Sequence, residues 1–356
     1  MHFDVLMPAI LFAVTLAAMF LGRKTEARLK STVEEREFKT RDTVLLVIMI
    51  GVALSVVVFV PSLAIMALFL FSYSSLLFTV SYTFSDLKVG SLRLYLGGFA
   101  VACLVAGVGG YFGILSGDLR LWGLISFVSL SLVSIAILLY VQRLPAIKPK
   151  WYIGALSPAL FLLLFAFFGS TFVWFPYLLD VYGIIFAILI VIYLNGLFTW
   201  KTVFIFAALL TGLDIVLVWV TGTMVQAAQQ ISGLGLPVLV AFPTIPIIST
   251  SAGILILRLG LGDFFFAGIL SSQTLKRFGK KTAVASLLTI CISFAIFELI
   301  LLNPDWAKAL PVQALPATLP ILLGWLPVVL IKMYANKKSK QEPIKQSDRL
   351  TAQKGS

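Results

Sequence analysis

The sequence predicts an all-α polytopic membrane protein of nine to eleven transmembrane helices. Three observations carry that prediction. Hydrophobic residues make up 60% of the 356-residue chain and charged residues only 12%, against about 45–50% and about 25% in soluble globular proteins. The apolar residues gather into runs long enough to cross a bilayer, and the mean hydropathy is +1.05. The basic residues that produce a net charge of +12 fall almost entirely between alternate runs. A soluble enzyme, a disordered chain and a nucleic-acid-binding domain are excluded by the first observation, whatever the charge.

A helix spanning the hydrocarbon core needs about 20 apolar residues. Eleven segments qualify: 4–22, 43–60, 62–84, 94–115, 121–141, 151–175, 181–199, 202–220, 259–275, 282–302 and 311–334. The first is not a cleaved signal peptide, because Asp4 precedes it and Arg23 and Lys24 follow it. Basic residues after a first helix hold that end in the cytoplasm, so the N-terminus is expected outside and the C-terminus inside. Pro61 alone separates the second and third segments. It lacks an amide proton and clashes with the preceding turn, so a tight break is expected there. With this threading all Lys and Arg except Arg120, Arg258 and Lys308 lie on the cytoplasmic side. The alternation survives loss of a pair of segments, so nine spans fit as well as eleven.

Residues 221–258 are apolar enough to span but are interrupted by Pro237, Pro243 and Pro246 and by Gly222, Gly233 and Gly235. They are expected as an outer loop that packs on the bundle, broken or extended. A twelfth span would put the basic 276–281 turn outside, against the charge rule. The division expected is N-terminal helices over 1–180, a core over 181–335 and a disordered basic tail over 336–356.

The scarce residues narrow the chemistry. The one histidine is His2, which removes Ser-His catalysis and a paired-histidine zinc site within the bundle. Cys103 and Cys291 both sit in apolar runs and read as small core residues. No metal or cofactor is implied. Among the acids, Asp214, Asp263 and Glu298 lie well inside apolar segments, where an ionisable group is costly and therefore a functional candidate. Asp214 lies about 9 Å and Asp263 about 6 Å from the outer ends of two antiparallel segments, at ~1.5 Å per residue. Two carboxyls are thus brought to nearly one level. Glu298 is either a third member or a hydrogen-bonded interfacial residue. Arg258, about one turn before Asp263, is the nearest candidate ion-pair partner.

Two close carboxyls in a low dielectric cannot both ionise, and share a proton. The ionised partner can take a proton from water while the protonated one polarises a carbonyl, as an aspartic protease requires. Paired acids also serve proton or cation translocation, so the pair alone leaves a secondary transporter or channel as the alternative. A non-catalytic scaffold is a third reading.

The surrounding residues discriminate. Leu259-Gly260-Leu261-Gly262-Asp263-Phe264 places glycines three and one before the acid, opening the carboxyl to a close backbone approach. Gln313-Ala314-Leu315-Pro316-Ala317-Thr318-Leu319-Pro320 places two prolines at the start of the last segment. These residues resemble the presenilin and signal peptide peptidase family of intramembrane aspartyl proteases. GLGDF matches its GxGD motif, an aspartate about 50 residues earlier matches its first catalytic acid, and QALPATLP resembles its PALP motif. Prepilin peptidases also carry GxGD but lack the QALP-type helix. The resemblance runs from about residue 180 to 335 and is closer to the signal peptide peptidase branch, on FTWKTVFIFAALLTGLDIVLVWVTGTMVQAA, on LPVLVAFP and on the predicted orientation. Two positions depart from the pattern: Leu213 stands where the family has tyrosine, and Gln313 where PALP has its first proline. The N-terminal half has six segments where the family has four.

The resemblance implies a presenilin-like fold and an intramembrane endopeptidase acting on transmembrane helices such as leftover signal peptides or type II segments. It implies Asp214 and Asp263 as the catalytic dyad, Gly260, Leu261 and Gly262 shaping the site, and Gln313, Ala314, Leu315 and Pro316 holding substrate. Membrane lipids and helical substrates are the expected partners, and nucleic acid is not. No N-x-S/T sequon is present, so the expected location is a prokaryotic cell membrane, or the endoplasmic reticulum membrane of a eukaryote.

Overall fold

A computed structural model of the chain describes residues 2–32, 37–85, 89–142, 151–250, 253–303 and 316–354. The helices are α1 (Leu6–Thr32), α2 (Thr40–Val57), α3 (Ser62–Thr83), α4 (Val89–Gly109, continued by a π turn Gly110–Ile114) and α5 (Leu119–Gln142). After them come α6 (Trp151–Phe168), α7 (Val173–Asn195) and α8 (Trp200–Val220). A short α9 (Thr223–Ser232) precedes four strands: β1 (Leu239–Pro243), β2 (Ser249–Thr250), β3 (Gly253–Ile254) and β4 (Ile256–Gly260). The chain closes with α10 (Leu261–Phe278), α11 (Lys280–Leu302) and α12 (Thr318–Lys354).

Nine helices among the described residues are long and apolar enough to cross a membrane. Leu6–Gly22 of α1 is apolar but shorter, and α10 occupies the segment expected over 259–275. On α2 the exposed large side chains are Leu45, Ile48, Met49, Val52 and Val56, a continuous stripe at helical spacing. Such stripes on helix after helix need an apolar solvent. The architecture is that of an all-α polytopic membrane protein.

The helix boundaries follow from local chemistry. Pro61 caps α3 with extended ψ of 137°, so the expected break between the second and third segments is present. Asp4 caps α1, accepting from Leu6 N–H and Met7 N–H. Gly279, at φ 84°, turns α10 directly into α11, a reversal that a residue with a Cβ would resist. The expected segment 151–175 ends earlier, at Phe168, because the chain turns at Gly169-Ser170. The basic tail, expected without regular structure, continues α12 to Lys354. Its Lys and Gln residues propagate a helix well and the nucleus already exists in the spanning part, although Pro343 is unfavourable in a helix interior.

The 221–258 stretch does not span. Its prolines exclude a long helix, and the chain folds back as β1 paired antiparallel with β4, Leu239 opposite Gly260 and Pro243 opposite Ile256. β2 pairs with β3 in a separate small hairpin. Two acids fix this layer to the bundle. Asp180 at the start of α7 accepts from Ala241 N–H at 2.7 Å, and Asp4 accepts from Ile245 N–H at 2.7 Å.

Helix α10 is the axis of the core. It packs against α1, α7, α8, α11 and α12. Every residue from Phe266 to Leu275 is buried. Its small residues admit close neighbours: a Cβ on Gly268 would lie 2.4 Å from Val191 Cγ2 of α7. Two of its polar residues are satisfied internally. Gln273 Nε2 donates to Asn195 O, Asn195 Oδ1 and Phe198 O, and Thr274 Oγ1 accepts from Trp325 Nε1 of α12.

Candidate active site

The β1–β4 ribbon delivers the chain to the N-terminus of α10 at a fixed place. Leu261 N–H donates to Val238 O at 3.1 Å, one residue before β1. Asp263 then falls in the first turn of α10, where a carboxylate is favoured by the unpaired amides and the helix dipole. Its Oδ2 accepts from Gly260 N–H at 3.2 Å. A Cβ on Gly260 would stand 3.1 Å from that same oxygen, whereas nothing lies within 4 Å of a Cβ built on Gly262. The first glycine therefore lets the carboxyl fold back on its own backbone. The second leaves open space beside it.

Asp214 comes from α8, buried at 5% exposure. Its Oδ2 accepts from Thr318 Oγ1 at 2.5 Å, at the first turn of α12. Its Oδ1 is buried without a hydrogen-bond partner. An orphaned carboxylate oxygen at such depth is costly, and marks where a water or a substrate group would be most welcome.

Both carboxyls line one cavity of about 470 Å³ and are close enough to act on each other electrostatically. Its other walls are apolar, from Ile50 and Leu54 of α2, Leu68 and Phe69 of α3, Leu213 and Leu217 of α8, and Ile231 of α9. Gly260, Leu261 and Gly262 line it too. The cavity thus presents two acids among mostly apolar walls, with the hydroxyl residues Ser72, Tyr73 and Thr318 also lining it, a setting for proton transfer between carboxyls and a bound polar group.

Of the residues expected at the site, Asp214, Asp263, Gly260, Leu261 and Gly262 meet here. Gln313, Ala314 and Leu315 lie outside the described residues. Pro316 is described and does not line this cavity. It lines a neighbouring one of about 160 Å³ with Glu298, Arg258, Ala317 and Pro320. The proline motif thus reaches the carboxyls through Thr318. Glu298 does not join the aspartates, and its Oε2 is buried without a partner. Arg258 makes no ion pair with Asp263 among the described residues. It lies on β4, opposite Ala241.

Sequence reasoning missed three contributors. Thr318 sits inside the quoted QALPATLP run, but its hydroxyl had no assigned partner until α8 was brought beside it. Tyr73 of α3 also lines the cavity, donating its hydroxyl to Pro237 O at 3.2 Å and stacking on Phe186 at 4.1 Å. Leu213 stands beside Asp214, so the phenol in this cavity comes from a different helix. Asp180 lies at a segment edge, and its role in holding β1 depends on a contact 61 residues away in sequence. No protein-family model and no curated protein matches the chain.

Proposed function

We propose that the chain is an intramembrane aspartyl endopeptidase, hydrolysing peptide bonds within transmembrane helices. The observation that carries the reading is the convergence of Asp214 and Asp263, from two different helices, on one apolar cavity. One carboxyl oxygen on each side is committed, to Thr318 and to Gly260 N–H. That arrangement holds the groups still and leaves Asp214 Oδ1 for a water. In the reaction, the ionised carboxyl takes a proton from this water as it attacks the scissile carbonyl. The protonated carboxyl donates to the carbonyl oxygen, and the leaving amine is protonated in turn. Tyr73 and the apolar walls exclude bulk water and strengthen these electrostatics.

A peptide bond inside a helix is shielded by its own hydrogen bonds, so the substrate unwinds before attack. The ribbon supports this step. Hydrogen-bonded pairs alternate along an antiparallel ladder. Leu261 N–H to Val238 O and Thr244 N–H to Leu255 O fix which residues face inward. Ile256, Arg258 and Gly260 therefore turn their backbone groups away from β1, Gly260 N–H going to Asp263, and among the described residues β4 pairs with no other strand. An unwound segment added along this edge runs directly towards Asp263. The likeness of the GLGDF and QALP motifs to the presenilin and signal peptide peptidase family favours substrates with a cytoplasmic N-terminus, such as leftover signal peptides. With the N-terminus outside and the C-terminus inside, cleavage falls in the outer half of the substrate helix.

The test is mass spectrometry of products from one labelled helix, reconstituted in both orientations and with either a Gly-rich or a Leu-rich core. Cuts in the outer half, one preferred orientation and faster cleavage of the Gly core are expected. Equal cleavage of all four, or cuts at the cytoplasmic end, would overturn the model. Proton-coupled uptake without cleavage would instead establish the transporter reading of the same carboxyls.

A further inference from the structure

At the opposite end of α10, about 20 Å from Asp263 at ~1.5 Å per residue, lies a second cavity of about 520 Å³. It is lined by Met19 of α1, Asn195 of α7, Ser272, Leu275 and Lys276 of α10, and the Gly279–Lys280 turn. We propose that this cavity binds an anionic phosphate group, and that its ligand is a phospholipid headgroup or a free phosphate.

Four features point to that chemistry. First, α11 begins in the cavity wall, and its N-cap Gly279 supplies no side-chain cap. The leading amides of α11 have no intrahelical acceptor, and a helix N-terminus with free amides favours a phosphate. Second, Lys276 and Lys280 stand exposed at the rim, and no carboxylate lines the cavity among the described residues. Third, Ser272 is only 2% exposed, yet its Oγ is buried with no hydrogen-bond partner. A hydroxyl left unsatisfied in a residue of the wall of a cationic cavity is a donor lacking an acceptor. Fourth, the wall is rigid. Gln273 Nε2 holds Asn195 O, Asn195 Oδ1 and Phe198 O at 3.2, 3.2 and 2.8 Å, and Lys276 Nζ reaches Asn195 O at 3.4 Å.

The positive-inside rule alone accounts for basic residues at 276–281, but it asks only for charge near a surface. It does not ask for a buried orphan hydroxyl, an uncapped helix start and a cavity between them. Met19 and Leu275 add an apolar flank, which suits the glycerol and upper acyl region of a lipid better than a free ion.

The test uses the full chain purified in an uncharged maltoside detergent. Dioctanoyl phosphatidylglycerol, dioctanoyl phosphatidylcholine and inorganic phosphate are titrated separately, with binding read by thermophoresis. Phosphatidylglycerol is expected to bind more tightly than phosphatidylcholine. The double variant Lys276→Gln/Lys280→Gln should weaken it about 30-fold. Both lysines are exposed, so this variant keeps its fold, checked by an unchanged melting temperature without ligand. Ser272→Ala tests the hydroxyl separately and should weaken binding severalfold. Inorganic phosphate that displaces the lipid at comparable concentration assigns the site to free phosphate. Failure to displace it assigns the site to the headgroup. Equal binding of the two lipids, binding unchanged in the double variant, or no binding of either anion would overturn the proposal.

Discussion

Helix α10 and the α4–α5 hairpin are built on opposite rules. The hairpin is strongly apolar, with an 18-residue stretch of α5 at mean hydropathy 2.5. Much of what it presents is exposed: Leu94 at 80% and Phe112 at 79%. Helix α10 carries Ser271, Ser272, Gln273 and Thr274 in succession, all buried, and does not register as a span by hydropathy. A helix facing lipid must be apolar outside and needs little else. A helix enclosed by five others is shielded from lipid, so it can carry polar groups: Gln273 and Thr274 find partners on neighbouring elements, while the Ser271 and Ser272 hydroxyls are left without one. In this fold the most buried long helix of the bundle carries a run of four polar residues, and it bears Asp263.

The comparison breaks most sharply at the carboxyls. Asp263→Ala and Asp214→Ala are each expected to lower peptide cleavage by about 10²–10⁴-fold or more, because acid and base act as a unit. Initial rates on a labelled transmembrane peptide in detergent are the readout. Both variants should stay folded, since removing a desolvated acid relieves a cost. Near-wild-type cleavage by either would remove it from the dyad. Arg120→Gln, at the α4–α5 turn, should leave the rate unchanged.

Glycines sharpen the contrast in sign. A Cβ on Gly324 of α12 would lie 2.5 Å from Thr289 O and 2.6 Å from Ile290 Cα. On Gly268 it would meet the branched, stiff side chain of Val191. Backbone cannot give way as a flexible side chain can, so Gly324→Ala should destabilise by about 3 kcal/mol and Gly268→Ala by about 1–3 kcal/mol, as overpacking does. Gly97 and Gly98 of α4 have nothing within 4 Å of an added Cβ. Alanine there should stabilise by about 0.5–1 kcal/mol through helix propensity. Unfolding titrations with a denaturing detergent compare the two pairs. Destabilisation of equal size in both would mean that the hairpin is as tightly packed as the axis.

The same division governs what could be read from the sequence. Segment positions were legible because lipid-facing helices must be apolar throughout, and Pro61 and the basic 276–281 turn mark two of their breaks. That 221–258 is broken or extended rather than a span was legible from its prolines and glycines, though not its pairing register, nor the strand's continuation to Gly260, which the sequence placed in the following helix. Asp214 and Asp263 were legible as acids at matched depth. Thr318 was not, because its hydrogen bond to Asp214 joins residues 104 apart. Nothing local distinguishes it from any threonine at a helix start. Tyr73 sits in an apolar run where an aromatic ordinarily means packing. Pro316 was assigned to the carboxyl cavity by motif order, but the first turn of α12 rotates it into the cavity shared with Glu298 and leaves Thr318 facing Asp214. Side-chain direction within a turn depends on the packing of α12 against α11, which no motif encodes.

Hydrogen bonds give the finest test, down to the smallest expected effect. Gln273→Leu is nearly isosteric but removes the donor from three acceptors at the α7–α8 junction, two of them backbone carbonyls. A loss of about 1–3 kcal/mol is expected. On α5, Ser131 Oγ donates to Ala100 O and Ser134 Oγ to Leu96 O, each at 3.0 Å. Those carbonyls already accept within α4, so the serine is a second donor rather than the sole one. Ser131→Ala and Ser134→Ala should each cost about 0.6 kcal/mol, typical of interhelical hydrogen bonds in a bilayer. The two should add, because serines three residues apart bond to different carbonyls and share no partner. The decisive measurement is the Ser131→Ala/Ser134→Ala double variant beside Gln273→Leu under one unfolding protocol. A hairpin loss equal to or larger than the Gln273→Leu loss would show that α4 and α5 rely on polar contacts as much as the axis does. The difference between the two regions would then lie in what surrounds them, not in what holds them together.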